Sequence, residues 1–185
     1  MAATILSRVR PARSAASVID DVLAALRRRG RRAIRIVDLD CRSGRRLIDI
    51  AARARAKGFL AIEARGCDRS PLAIAAARRA GAAHRDPAIG WQFDVADPAS
   101  AIAAERDGAD LILAAGRTAH SPAVAERLRA ATGDTLIVTA PADRPPDSIP
   151  RDEDFDRALI PLGTGPHARA LVVLHRIAGE PRHDG

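Results

Sequence analysis

Apolar residues in this chain alternate between two patterns. Short, nearly continuous apolar runs occur at 33–39, 59–68, 89–95, 109–115 and 135–140, each bounded by turn residues. Between them lie longer stretches whose apolar positions recur every three or four residues, as in Ile19, Val22, Leu23 and Leu26. The first pattern predicts strands buried on both faces; the second predicts amphipathic helices. Strands thus alternate with helices at 17–29, 43–57, 70–81, 98–105 and 121–133. This alternation calls for an α/β fold, a doubly wound and mostly parallel sheet with helices on both faces.

Local signals sharpen several boundaries. Ser17, with Asp20 three residues on, has the form of a capping box, and Gly30 is placed to stop the helix it opens. "SP" at 70–71 and again at 121–122 puts a capping hydroxyl before a proline at the first helical position. Asp97 before Pro98 has the same form. After Pro141 the chain becomes rich in proline and acid, which predicts a loop to about 155. "RALIPLGTGPHARALVVLHR" then reads as strand, Gly-Pro turn, strand. One domain over 17–177 is expected, with a flexible lead-in at 1–16 and a frayed tail at 178–185.

Composition narrows the picture. With one Trp, three Phe and no Tyr, the core must be built from Ala, Leu, Ile and Val. No apolar run approaches a membrane span, and the lead-in "MAATILSRVRPARSAAS" lacks the continuous apolar segment of a secretory signal. Cys41 and Cys67 are too few for a zinc site or a disulfide framework, so reduced thiols in a cytoplasmic protein are expected, with no metal. The net charge of +7 invites a nucleic-acid reading. Lys57 is the sole lysine, however, and the arginines are spread along an alanine-rich chain, with "RRRGRR" at 27–32 as the one dense run. A solvated basic face is therefore the favoured explanation, and nucleic-acid contact a subordinate one.

Four segments carry a family resemblance. "DLDCRSG" (38–44) follows the first strand, "GCDRSP" (66–71) ends the second, "WQFDVADP" (91–98) ends the third, and "GADLILAAGRTAH" (108–120) contains the fourth. Together with the closing strand–turn–strand element, they make the chain resemble the class I S-adenosylmethionine (SAM) dependent methyltransferases over roughly 33–176. The resemblance implies a seven-stranded, Rossmann-like sheet with a C-terminal antiparallel strand.

It also implies a cofactor, SAM, and residues to hold it. Asp38 stands as the acid ending the first strand and Gly44 as the last loop glycine, while Asp40 and Arg42 replace the first two. Glycines serve there because a Cβ blocks close approach and some positions need positive φ. Asp40 and Arg42 either pair with the ammonium and carboxylate of the cofactor's amino-acid end or occupy its place. Asp68 corresponds to the acid that meets both ribose hydroxyls. Asp94, with Val95 beside it, corresponds to the acid that meets the adenine amino group, and Asp97 is the competing choice. Arg117 and His120 lie where substrate approaches, and His120 is the candidate proton acceptor.

The implied activity is methyl transfer to an unidentified small-molecule acceptor. The alternatives are a non-catalytic domain of the same fold that has lost its cofactor, or a basic nucleic-acid-binding protein. A nicotinamide enzyme would need G-x-G-x-x-G after the first strand, which "DLDCRSG" lacks.

Overall fold

The computed structural model describes residues 15–105, 108–115, 118, 121–124, 132–141, 155–162 and 169–176. Its elements run α1 (Ala15–Arg28), β1 (Ala33–Asp38), α2 (Arg45–Ala56), β2 (Ala61–Asp68), α3 (Pro71–Ala83), β3 (Ile89–Val95), α4 (Pro98–Ala104), β4 (Ala109–Ala115), β5 (Thr132–Pro141), β6 (Phe155–Leu162) and β7 (Arg169–Arg176). The expected α/β alternation is thus present. The sheet has the order β3-β2-β1-β4-β5-β7-β6. β1 pairs in parallel with β2 and β4, β2 with β3, and β4 with β5, whereas β7 runs antiparallel to both β5 and β6.

Period-two alternation sends successive strand residues to opposite faces. Ile34 and Ile36 of β1, Ile62 and Ala64 of β2, and Leu111 and Leu113 of β4 join the apolar stripes of α1 and α2 and Ile74 and Ala77 of α3 in one core layer. Val37 of β1, Cys67 of β2 and Ile112 of β4 face the other way, where Ile102 of α4 and Val124 cover them. Leu23, Ile36, Leu47 and Ile112 are all fully buried, and each such side chain contributes about 1.5–3 kcal/mol. A core of this kind forms without many aromatic rings because the two layers interdigitate short branched side chains.

Boundaries follow local chemistry. Ser70 caps α3, its side chain accepting from the Ala73 amide, with Pro71 at the first helical position. Asp97 caps α4 by accepting from the amides of Ala99 and Ser100. Ser17 does not serve as a cap, because α1 already begins at Ala15 and Ser17 lies within its first turn. β2 starts later than its apolar run suggests: Phe59 is fully buried while Leu60 is 58 % exposed. The helix expected from Ser121 is described only at 122–124, and both termini of the chain lie outside the described residues.

Three glycines surround the ring of Phe93. A Cβ on Gly66 would meet Phe93 Cδ1 at 2.9 Å, one on Gly81 would meet Cε2 at 2.8 Å, and one on Gly44 would meet Cε1 at 3.1 Å. The ring fills a socket that only hydrogen atoms can line. Trp91 stacks alongside it, ring centroids 6.2 Å apart.

Candidate functional site

Ligands of open α/β sheets bind beyond the carboxyl ends of the strands, where the strand order reverses. Here β1 has β2 on one side and β4 on the other, so the reversal lies at the loop that follows Asp38. A cleft of about 850 Å³ opens at that place, walled by Asp40 and Arg42 from the loop after β1, Asp68 and Arg69 from the end of β2, and Asp97 before α4. Thr118, Ser121 and Val124 close its far side.

The loop is shaped by two carboxylates. Asp38, wholly removed from solvent, holds Arg46 of α2: Arg46 Nε donates to Oδ2 at 3.0 Å, and a second guanidinium nitrogen donates to Oδ1. The Asp40 amide also donates to Asp38 Oδ1, at 3.3 Å. Asp68 works from the neighbouring strand, accepting from the Arg42 amide at 3.1 Å and the Ser70 amide at 2.8 Å. Those bonds hold Arg42 at a positive φ of 52°, a backbone state that its side chain alone would disfavour. The Arg42 side chain is exposed along the cleft rim rather than packed into it.

Burial pushes the Asp40 carboxyl above its ordinary range, the adjacent Asp68 carboxylate adds to this, and Arg42 and Arg46 offset part of it. Asp97 is held the other way, below the usual carboxylate range, chiefly by its hydrogen bond from Arg69. The cleft therefore presents a half-buried acid pair flanked by two guanidinium groups, one of them already paired. Cys41 and Cys67 are free thiols, each pushed up to about 12 by burial, so neither is a thiolate near neutral pH.

Of the residues singled out in the sequence, Asp40, Arg42 and Asp68 share this cleft, whereas Asp38, Gly44, Asp94 and Val95 do not line it. Asp38 faces Arg46 beneath the loop. Gly44 takes a positive φ of 76° and abuts Ala77 and Phe93, so core packing by itself calls for a missing Cβ there. Asp94 is exposed and accepts from the Gln92 side chain at 2.8 Å. With Phe93 turned into its socket, strand alternation must send Asp94 to the other face. Val95 is 50 % exposed at the strand end. Of the carboxylates at these strand ends, Asp40, Asp68 and Asp97 wall the cleft, and Asp38 and Asp94 are not part of its lining. His120 and Arg117 lie outside the described residues.

Two residues were not foreseen. Arg46 neutralises Asp38, and Arg69 binds Asp97. Among the described residues, no group of three or more His, Cys, Asp or Glu side chains is placed to hold a metal ion, and no helix is long and apolar enough to cross a membrane.

No protein-family model matches the sequence, and no curated protein does so. Solved structures do. Magnesium protoporphyrin IX methyltransferase from Synechocystis PCC 6803, with bound SAM, superposes with a TM-score of 0.61 at 17 % identity, over 86 % of this chain and 78 % of that one. YhhF of Escherichia coli, a proposed methyltransferase, gives 0.59 at 10 % identity over 90 % and 91 %. A proposed class I SAM-dependent methyltransferase of Listeria monocytogenes gives 0.65 at 14 % identity, over 90 % of this chain and 62 % of that one. The strand order, the reversed β7 and these superpositions agree: the chain has the fold of the class I SAM-dependent methyltransferases.

Proposed function

We propose that the cleft binds SAM and that the chain transfers its methyl group to a small-molecule acceptor. We also read the seven-strand order with its reversed β7 as the complete sheet of that family. The observation that carries the reading is the meeting of Asp40, Arg42 and Asp68 in one cleft at the strand-order reversal.

The residues fit the cofactor in charge and in hydrogen-bonding capacity. Each Asp68 oxygen accepts one amide and keeps a second lone pair, enough for two ribose hydroxyls. Arg42 is exposed at the rim and has no carboxylate bonded to its side chain among the described residues, so its guanidinium is available for the carboxylate of the amino-acid end. Asp40 then faces the ammonium group, whose positive charge favours the ionised form that burial disfavours. Arg46 keeps Asp38 from competing for that ammonium. Val95, exposed at the end of β3, offers an apolar edge and a main-chain donor for the adenine, with Asp94 next to it.

Bound SAM supplies an electrophilic methyl group on a sulfonium, so the chain's task is alignment and exclusion of water. His120, in the segment following β4, is proposed to take the acceptor's proton. No covalent nucleophile is required.

One observation favours a second reading, a domain that keeps the fold without the cofactor. Both Asp68 oxygens already hold main-chain amides, and Asp40 and Arg42 stand where close approach calls for glycine. Titrating the protein calorimetrically with SAM, S-adenosylhomocysteine and NAD separates the cases. Heat from the two sulfur ligands alone supports methyl transfer, heat from NAD alone points to a nicotinamide site, and no heat from any favours the inert domain.

A further inference from the structure

Parallel topology gathers the helix-to-strand turns of β1, β2 and β3 at the amino edge of the sheet, opposite the cleft. Neighbouring strands lie about 4.8 Å apart, so three turns span about 10 Å. On this edge stand Arg28, Arg29 and Arg32 beside β1, Lys57 beside β2 and Arg85 beside β3, all exposed. None has a carboxylate partner among the described residues.

Four acids beside these turns, Glu63, Asp86, Glu105 and Asp110, are already matched. Arg31 pairs with Asp110, Arg35 bonds Glu63 at 2.7 Å, and Arg65 bonds Glu105 at 3.0 Å. Arg55 holds Asp86 at 3.0 Å. Those pairs cancel, and Arg28, Arg29, Arg32, Lys57 and Arg85 are left without a carboxylate partner among the described residues.

The turns are also stitched together. Arg27 lies over the buried Phe59 ring at 5.5 Å, donates to the Arg31 carbonyl at 2.6 Å and to the Lys57 carbonyl at 3.3 Å. The Leu60 amide donates to the Arg32 carbonyl at 2.8 Å, and the Ile62 amide to the Ala88 carbonyl at 2.7 Å. The basic row is therefore held in place by the fold, which lowers the entropy lost when it meets a regular array of anions.

We infer that this row is a docking surface for the phosphate backbone of a nucleic-acid duplex. A duplex is favoured because single strands are gripped mainly by stacking on aromatic rings: beside the row Phe59 is fully buried and Trp91 packs against the core, which leaves the imidazole of His84 as the exposed ring among the described residues. Backbone contact without base readout makes the binding independent of sequence. Since the row and the cleft are at opposite ends of the strands, the duplex is held there and not presented for reaction. The inference does not rest on the cofactor reading.

Fluorescence anisotropy with a labelled DNA duplex of about 20 base pairs, from about 50 to 200 mM salt, tests it. Expected are micromolar affinity at low salt and a log–log salt slope near −4. Arg29→Ala/Arg32→Ala should reduce that slope by about two and weaken binding at least tenfold, while Arg45→Ala/Arg79→Ala, which removes equal charge elsewhere, leaves both unchanged. The inference is overturned by absence of binding at low salt, or by equal losses in the two double variants. Tighter binding of the single strand, of polyglutamate or of anionic lipid vesicles also overturns it.

Discussion

The guanidinium of Arg46 lies fork to fork on the carboxylate of Asp38, a side chain wholly withdrawn from solvent. This pair fixes the first turn of α2 against the end of β1, and the Asp40 amide on the same carboxylate ties the cleft loop to it. Arg46→Met would leave a buried, unpaired carboxylate. Fully buried pairs lose 3–5 kcal/mol in this way, and because 34 % of the Arg46 side chain meets solvent we expect about 2–3 kcal/mol. Urea denaturation measures it. Adding Asp38→Asn to Arg46→Met should restore part of the loss, whereas a lost packing contact alone would show no such recovery.

The Phe93 socket makes a prediction of sign. Gly81 lies inside α3, where alanine ordinarily stabilises by about 1 kcal/mol. Here an added Cβ meets Phe93 Cε2 at 2.8 Å, so Gly81→Ala should destabilise by about 1–3 kcal/mol. In a Phe93→Leu background the same change should become neutral or stabilising. Fluorescence of Trp91, the chain's one tryptophan, reports the unfolding of the stacked pair directly.

Asp40 links the cleft to pH. Burial, and then Asp68, raise its folded-state pKa. Folding therefore favours its protonated form, and that contribution, present below the ordinary aspartate range, is lost as pH rises through the raised value. Ionised Asp40 thus costs stability at neutral pH. Asp40→Asn should raise the Tm at pH 7 and leave it unchanged near pH 3, about the lower end of the aspartate range. If Asp40 meets the cofactor's ammonium, the same substitution should weaken S-adenosylhomocysteine binding at pH 7 while stabilising the free protein. A Tm gain of equal size at both pH values would contradict the account.

Much of the scaffold was legible because its signals are local. Ser70 with Pro71, and Asp97 with Pro98, open helices where their backbone chemistry requires, and nearly continuous apolar runs marked β3 and β4 to the residue. Ser17 misled because α1 already begins at Ala15, which puts that serine inside the first turn. The site was legible in outline only. Asp68 was placed by its strand end, but the partner of Asp38 depended on helix phase: of Arg45 and Arg46, the latter turns inward. Gly44 fitted a cofactor pattern, and the packing demand that Phe93 also places on it could be read only once the place of that ring was known.

Asp68 joins the two halves of the proposed binding surface, gripping the Arg42 amide and offering its remaining lone pairs to the cleft. The most direct test is calorimetric titration of S-adenosylhomocysteine into the unaltered protein and into Asp68→Ala, with cooperative unfolding confirmed for both. The account predicts saturable binding to the first and none to the second. Silence from the folded unaltered protein, or undiminished affinity in Asp68→Ala, would contradict it.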